Sequence, residues 1–218
     1  MQWPGPPEPP ETGLGEVSPL IVNRLSVYLG CLRRLQAVGL RRISSKDLAS
    51  RFRLSATQIR KDLAIFGDFG IRGVGYDVDQ LAARLTSVLG LDAPRTIVVV
   101  GVGNLGSALA RYLGFNTGSF HVVAGVDNSS SVIGRKVGSF LVRPTRDLPE
   151  VVAETQAEIG LLTVPAEAAQ ENYDALVKAG VRGVLNFTPA RIKPVPEVPV
   201  KDVDLRIHLE ELAFLLAR

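Results

Sequence analysis

The stretch that decides the fold is Ile97–Ala110, IVVVGVGNLGSALA, where an apolar run enters a glycine-rich loop. The β-branched run from Thr96 is typical of a strand that is buried on both faces. Gly101, Gly103 and Gly106 have the G-x-G-x-x-G spacing, and a helical apolar pattern follows them. A strand, this loop and a helix in that order predict a dinucleotide-binding unit.

The G-x-G-x-x-G spacing predicts a separate structural role for each of the three glycines. The first permits a tight turn, the second lets the backbone approach a pyrophosphate, and the third lets the helix pack closely on the sheet. The start of the helix then presents unpaired N–H groups to the phosphates. The residues predicted to hold the pyrophosphate are Gly101, Val102, Gly103, Asn104, Leu105 and Gly106.

The next strand predicts which dinucleotide is preferred. FHVVAGVD ends at Asp127, about 20 residues beyond the last glycine of the loop. A carboxylate there accepts hydrogen bonds from the adenosine ribose and repels a 2′-phosphate, which favours NAD over NADP. Arg135 and Lys136 would weaken that preference, and Asp127 as a simple strand-end turn residue is the alternative.

Further strand and helix patterns alternate along the chain. Ile159–Pro165 and Val181–Phe187 are predicted strands, and Ala166–Ala179 is a predicted helix between them. Such alternation indicates an α/β fold whose open, mostly parallel sheet has helices on both faces. Ligands bind at the carboxyl ends of the strands in such sheets. The candidate residues there are Thr163, Val164 and Asn186.

Positive charge is concentrated before this unit. Residues 18–92 carry twelve Lys and Arg against six Asp and Glu, whereas residues 93–218 carry thirteen of each. An anionic partner, with nucleic acid as the first candidate, would explain the excess. A solvated basic surface is the alternative.

Three helix starts divide this basic segment. Ser18 precedes a proline, and Ser44 and Ser55 begin capping-box patterns, the second completed by Gln58. Two short helices meet around residues 53–54, which is the helix-turn-helix pattern. Thr57 and Gln58 would reach base edges, and Arg60 and Lys61 bases or phosphates. An ordinary three-helix packing unit is the alternative. The predicted DNA-binding residues of this helix are Ser55, Thr57, Gln58, Arg60 and Lys61.

A glycine-rich segment strengthens the DNA-binding prediction. Gly67–Val78, GDFGIRGVGYDV, is typical of two short strands around a tight turn, with Arg72 and Gly73 at the tip. Such a wing would insert its arginine into the minor groove. A helix over residues 79–89 and a linker at residues 90–94 would complete the unit.

The ends of the chain and its composition set further expectations. Residues 1–17 are rich in proline and carry three acids, which predicts a disordered tail rather than a signal peptide. Cys31 is the only cysteine, and no apolar run is long enough for a membrane span, so a cytoplasmic protein is expected. The predicted last helix, residues 204–218, is apolar on more than one side, which favours a subunit interface over burial in its own fold.

Several segments together resemble the Rex family of redox-sensing transcriptional repressors. The resemblance implies a winged-helix DNA-binding domain at residues 18–92, a Rossmann NAD(H)-binding domain at 93–203, and a homodimer that exchanges its C-terminal helices at 204–218. It also implies binding of double-stranded operator DNA when NADH is scarce and release when NADH accumulates. The matching segments are SATQIRKDLAIFG, RGVGYDV, VGVGNLGSALARYLGF, LLTVPAEAAQENYDALVKAGVRGVLNFTP and VKDVDL.

The resemblance also implies roles for single residues. Tyr112 matches a tyrosine that senses the reduced cofactor together with an acidic residue, here Asp204. Leu205 stands where some relatives have a phenylalanine, and Gly30 stands where the family has an arginine that pairs with the acidic residue. At Gly30 this chain therefore departs from the family pattern.

Two other functions remain open on the sequence. One is a small NAD-dependent oxidoreductase with a basic docking domain, although neither His121 nor His208 has an evident catalytic partner. The other is a regulator that senses a different nucleotide, such as a coenzyme A derivative. A regulator that is not an enzyme is the expectation.

Overall fold

The computed structural model describes residues 18–67, 69–71, 74–112 and 118–217. Two compact units divide between Asp92 and Ala93. The tail predicted to be disordered, residues 1–17, lies outside the described residues, as do the wing-tip residues Arg72 and Gly73.

The described part of the first unit contains four helices and a small antiparallel sheet. The strands lie in the order β1-β3-β2, in which Arg42 pairs with Asp77 and Gly70 with Tyr76. The first strand precedes the helix-turn-helix and was not expected from the sequence. The elements are α1 (Pro19–Ala37), β1 (Arg42–Ile43), α2 (Ser45–Phe52), α3 (Ala56–Ala64), β2 (Gly70–Ile71), β3 (Gly75–Asp77) and α4 (Val78–Val88).

The predicted serine caps are confirmed at all three helix starts. The Ser18, Ser44 and Ser55 hydroxyls accept hydrogen bonds from the N–H groups of Leu20, Asp47 and Gln58, at 3.4, 3.0 and 3.3 Å. Each bond satisfies an N–H that has no partner within its own helix. Arg53, at φ 55°, adopts the left-handed conformation that ends α2 and turns the chain into α3.

Helices α1 and α4 enclose the core of the first unit. Leu25, Leu32 and Leu85 are almost fully buried there. Cys31 belongs to the same core with 5% of its surface exposed, and burial raises the pKa of its thiol. The cysteine is therefore a packing residue.

Gly30 gives a first prediction because it occupies the middle of α1. It is exposed, and a Cβ added there would meet no atom within 4 Å. Glycine in a helix interior costs about 0.5–1 kcal/mol relative to alanine. Gly30→Ala is expected to stabilise the first unit by that amount, measured by calorimetric unfolding. A lower melting temperature would contradict this reading of the position.

The second unit contains a six-stranded sheet and a separate hairpin. Its described helices and strands are β4 (Arg95–Val100), α5 (Asn104–Arg111), β5 (Phe120–Asp127), β6 (Lys136–Val137), β7 (Phe140–Leu141), β8 (Arg143–Pro144), α6 (Leu148–Thr155), β9 (Ile159–Leu162), α7 (Ala169–Ala179), β10 (Gly183–Asn186), β11 (Val200–Asp202) and α8 (Leu205–Leu216).

The strand order of the large sheet is β11-β10-β9-β4-β5-β8, and every pair in it is parallel. The chain builds outward from β4 to β8 on one side, then crosses over and builds from β9 to β11 on the other. This is the order of dinucleotide-binding sheets, and its reversal point opens a crevice at the carboxyl ends of β4 and β9.

The two faces of the sheet are covered differently. Helices α6 and α7 pack on one face, where Leu148, Tyr173 and Leu176 are almost fully buried. On the other face, α5 covers β4, but an apolar groove of about 480 Å³ runs beside β9, β10 and β11. Residues lining this groove, called the sheet groove below, include Ile97, Phe120, Ile159, Leu161, Leu185 and Val200.

The last helix carries its apolar side chains on the outside. No side chain of α8 is buried, and seven large apolar ones are more than half exposed. Burial of α8 within its own subunit, the alternative left open by the sequence, does not occur in this chain. Across the described residues, no helix has both the length and the apolar character needed to cross a bilayer. The apolar residues of α8 are Leu205, Ile207, Leu209, Leu212, Phe214, Leu215 and Leu216.

Candidate functional site

A cleft of about 380 Å³ lies at the carboxyl ends of β4, β5 and β9, where the strand order reverses. Its volume is within the usual range for small-molecule sites, about 300–1,000 Å³. The loop after β4 forms its floor, and the segments after β5 and β9 form walls on either side. Residues that line it include Gly101, Gly103, Asp127, Ser129, Thr163 and Asn172.

The three loop glycines meet the requirements predicted for them. Gly101 has φ 89°, and a Cβ there would lie 2.8 Å from the Thr163 carbonyl oxygen. A Cβ on Gly106 would overlap the Gly101 carbonyl oxygen and come within 2.8 Å of the Thr163 hydroxyl. A Cβ on Gly103 would meet nothing within 4 Å. The first and third glycines are therefore needed by the fold, while the second keeps the cleft open for a ligand.

The start of α5 has the form of an anion site. Gly103 occupies the cap position, and no side chain accepts a hydrogen bond from the first turn. Asn104 and Leu105 are exposed there, while Val102 is buried. The Val102 N–H donates to Asp127, so the N–H groups left for a pyrophosphate are those that follow Gly103.

Asp127 is fixed against the loop. Its Oδ2 accepts the Val102 N–H at 2.7 Å, and its Oδ1 accepts the Ser129 N–H at 2.8 Å. A carboxylate has about four lone-pair sites, so both oxygens can still accept a further hydrogen bond. The carboxylate is therefore held at the cleft with room to accept further hydrogen bonds, and its predicted contact with the ribose hydroxyls stays a prediction.

The strand-end residues Thr163 and Asn186 have different surroundings. The Thr163 hydroxyl donates to the Gly101 carbonyl oxygen at 2.6 Å and fixes the glycine loop. Asn186 is fully buried and donates to the Ala190 carbonyl oxygen and to Asp202, at 3.0 and 2.8 Å. Thr163 therefore lies in the cleft, whereas Asn186 joins the ends of β10 and β11, and its predicted cofactor contact remains a prediction.

The predicted sensing residues lie at element ends. Tyr112 follows α5 and is 58% exposed. Asp204 is the cap of α8, where its Oδ1 accepts the Arg206 N–H at 2.8 Å. Their joint role toward a nicotinamide ring stays a prediction.

Helix α3 presents a polar, basic face. Thr57, Arg60 and Lys61 are exposed on it, and Ile59 and Leu63 are buried on the opposite side. The Arg60 guanidinium donates to the Ser45 and Thr57 hydroxyls at 2.9 and 3.3 Å, which orients it between α2 and α3. A short helix with this face is the recognition element of a helix-turn-helix.

A buried polar network, which was not predicted from the sequence, joins this helix to α1. Asp62 is 1% exposed and accepts two hydrogen bonds from Arg24, at 2.6 and 2.8 Å. It also accepts the Tyr28 hydroxyl at 2.8 Å and the Gln58 side-chain amide at 2.7 Å. One N–H of Gln58 is thus already engaged, and the rest of the amide remains for the base contact predicted for it.

The network predicts a pH dependence. Hydrogen bonding from Arg24 lowers the pKa of Asp62 to about 2, against an unfolded value near 3.9. A lowered pKa contributes stability above pH ~4 that is lost as the pH falls through ~2, about 2–3 kcal/mol in total. We expect the first unit to unfold in this acid window, followed by circular dichroism. Asp62→Asn, which cannot ionise, should lack this contribution, and an unchanged acid transition would contradict the assignment.

The described residues include both strands of the predicted wing but not its tip. Strands β2 and β3 form an antiparallel hairpin, and Gly75, at φ 91°, leaves no room for a Cβ beside the Ile43 carbonyl group. The glycine lets β3 pack closely on β1. The predicted DNA-binding residues of the tip, Arg72 and Gly73, fall outside the described residues, so their contact with DNA stays a prediction.

A winged helix followed by a dinucleotide-binding sheet defines the class of the protein: a DNA-binding module joined to a nucleotide-binding module. A family model described as "CoA binding domain" matches residues 92–190, and one described as "Putative DNA-binding protein N-terminus" matches residues 16–64. The chain is 45% identical to the redox-sensing transcriptional repressor Rex of Carboxydothermus hydrogenoformans, over 90% of this chain and 95% of that protein.

Solved structures agree with this relationship. RSP in complex with β-NAD⁺ and operator DNA superposes with a TM-score of 0.86 at 34% identity, covering 93% of each chain. RSP in complex with β-NADH gives a TM-score of 0.84 at 32% identity, covering 93% of this chain and 95% of that one. The chain belongs to the Rex family of redox-sensing transcriptional repressors, and the resemblance found in the sequence is confirmed.

Proposed function

We propose that this Rex-family protein represses transcription by binding operator DNA when NADH is scarce and leaves DNA when NADH occupies its cleft. The proposal rests on two features that occur in one chain. The second unit has a cleft that Gly103 leaves open and that the fixed Asp127 borders, and the first unit exposes the basic face of α3. The relatives support it, since one solved relative was crystallised with β-NAD⁺ and operator DNA and again with β-NADH. Such a repressor would act in the cytoplasm.

The cleft residues fit NAD. Gly103 and the start of α5 would hold the pyrophosphate, and Asp127 would accept the adenosine ribose hydroxyls. When bound, the oxidised nicotinamide brings a positive charge and the reduced one is neutral. Tyr112 and Asp204 are the residues proposed to respond to that difference.

The proposed response is a shift between two arrangements of a dimer. A ligand changes such an equilibrium only by as much as its affinity differs between the two states. Reversing a 99:1 population requires about 5.5 kcal/mol of differential binding, which two sites can share. In one arrangement the two recognition helices of the dimer match the spacing of the operator half-sites, and in the other they do not.

The dimer itself is proposed from α8 and the sheet groove. The helix exposes seven large apolar side chains, and the groove exposes an apolar surface beside β9–β11 in the same chain. Burial of both in a symmetric exchange of α8 between subunits would remove this surface from water.

The dimer proposal predicts the effect of charges on α8. Leu209→Glu with Leu212→Glu should yield monomers in size-exclusion chromatography with light scattering, because two carboxylates would enter an apolar interface. The matched control is Arg206→Ala with Glu210→Ala, which removes an exposed ion pair of the same helix. A double-glutamate variant that remains dimeric would contradict this interface.

The function is tested on DNA selected from a random pool by the protein without NADH. Fluorescence anisotropy then follows its affinity for that DNA during titration with NADH at constant NAD⁺. The expected result is progressive release as NADH rises. An affinity that stays constant through the titration would rule out the sensor.

The family model described as "CoA binding domain" keeps a second candidate, a sensor of acyl-CoA. Calorimetry against NADH, NADPH and acetyl-CoA separates the two, with the NADH sensor predicting the tightest binding for NADH. The oxidoreductase alternative predicts steady oxidation of NADH with a carbonyl substrate. The relatives carry the name of a repressor, in agreement with the expectation of a regulator.

A further inference from the structure

Asn172 is a buried polar residue in the wall of the cleft, and the function proposed so far does not use it. It lies on α7 with 7% of its surface exposed. It lines the cleft on the side that follows β9, while Asp127 lines it on the side that follows β5. Since β9 and β5 flank β4, the two residues belong to the two walls of the cleft.

The orientation of the Asn172 amide is fixed by one hydrogen bond. Its Nδ2 donates to the Ala168 carbonyl oxygen at 2.8 Å. A carbonyl oxygen only accepts, so the NH₂ group must face Ala168 and the amide oxygen Oδ1 must point away from it.

The amide oxygen is an open acceptor. Throughout residues 18–67, 69–71, 74–112 and 118–217, no donor pairs with Asn172 Oδ1. The same residues contain no enclosed side-chain oxygen or nitrogen that lacks a partner. An unpaired Oδ1 is therefore accessible from the cleft that Asn172 lines.

An amide oxygen in this place selects a ligand group that donates a hydrogen bond. If the pyrophosphate binds at the start of α5 and the ribose at Asp127, the base of the same nucleoside would lie in the cleft between the walls that carry Asp127 and Asn172. Adenine carries one strong donor there, its exocyclic 6-amino group. Hypoxanthine has a carbonyl oxygen at that position, which would face Oδ1 acceptor to acceptor.

We propose that Asn172 Oδ1 accepts a hydrogen bond from the 6-amino group of adenine and makes the cleft selective for adenine over hypoxanthine dinucleotides. This inference rests on the proposed function, since it requires that NADH binds in the cleft. Asn172 is then a specificity residue for the base, separate from the residues that hold the ribose and the pyrophosphate.

Calorimetric titration with NADH and with reduced nicotinamide hypoxanthine dinucleotide tests the proposal. The full-length wild-type protein should bind the hypoxanthine form about tenfold more weakly or worse, because the contact is lost and two acceptors face each other. Asn172→Leu should weaken NADH binding by a similar factor and bring the two affinities close together. Glu171→Ala, an exposed change on the same helix, should keep the wild-type ratio.

The outcomes separate this proposal from the function. Wild-type protein that binds both dinucleotides equally overturns the role of Asn172, even if NADH still releases the DNA, and this comparison needs no variant. Asn172→Leu that keeps the full tenfold preference also overturns it. A wild-type protein that binds neither dinucleotide contradicts the proposed function and this inference together.

Discussion

Gly106→Ala is expected to destabilise the second unit by about 3 kcal/mol and to weaken NADH binding about 100-fold. The added Cβ would overlap the Gly101 carbonyl oxygen, and neither atom can turn aside, because the oxygen is part of the backbone and the backbone fixes the position of the Cβ. Either α5 moves off β4 or the glycine loop shifts, and overpacking of this kind typically costs 1–3 kcal/mol or more. A shifted loop would also misplace the N–H groups that face the pyrophosphate.

Gly103→Ala is the matched control because it separates folding from binding. A Cβ there meets nothing within 4 Å, so calorimetric unfolding should be unchanged while NADH binding is lost. Hydrogen exchange should localise the destabilisation by Gly106→Ala to residues 93–217. Normal stability of Gly106→Ala would show that α5 tolerates a larger separation from the sheet than its packing indicates.

Asp62→Ala is expected to destabilise the first unit by about 3 kcal/mol and to abolish operator binding. The change leaves the Tyr28 hydroxyl buried without its acceptor and removes both hydrogen bonds from Arg24. Unpaired buried groups cost about 1–3 kcal/mol each, and Arg24, which is partly exposed, recovers some of its loss in water. Helix α3 would lose its link to α1 and with it the fixed position of Gln58.

The test of Asp62→Ala compares its DNA binding, which depends on the first unit, with its NADH binding, which depends on the second. NADH binding should persist, since the cleft lies entirely in the second unit. Asp79→Ala is the control: its carboxylate accepts the Gln36 amide at the exposed surface, and its loss should cost less than about 1 kcal/mol. Full DNA affinity of Asp62→Ala would mean that the network does not position α3.

Local sequence signals predicted the helix starts and the cleft floor well. A serine cap and its partner lie within three residues, and the glycine loop lies within six, so the sequence contains the whole interaction. Ser44, Ser55 and the loop from Gly101 therefore occupy the predicted positions.

Interactions between segments that are distant along the chain could not be predicted from the sequence. Arg24 and Asp62 are 38 residues apart, and an ion pair across two helices leaves no periodic trace. The short strand β1 was missed for the same reason, because its two residues are defined by pairing with β3. Asn172 looks like an ordinary helix residue until the fold brings α7 to the cleft.

The hydrogen bonds of Asn186 could not be predicted from its position alone. Its place at the end of a parallel strand predicts a ligand contact, and that contact stays a prediction. Its side chain also bonds to Ala190, Asp202 and the Thr188 N–H, and the long-range pairing of β10 with β11 brings Asp202 beside it.

The burial of Cys31 makes it a natural probe of opening in the first unit. A thiol reagent attacks the thiolate, and this thiol is both enclosed and shifted toward its protonated form. Alkylation must then wait until the core around α1 opens, so the labelling rate measures how often that core opens. Labelling by iodoacetamide in the presence and absence of operator DNA would therefore read out, without any added tag, how strongly the bound duplex holds this unit closed.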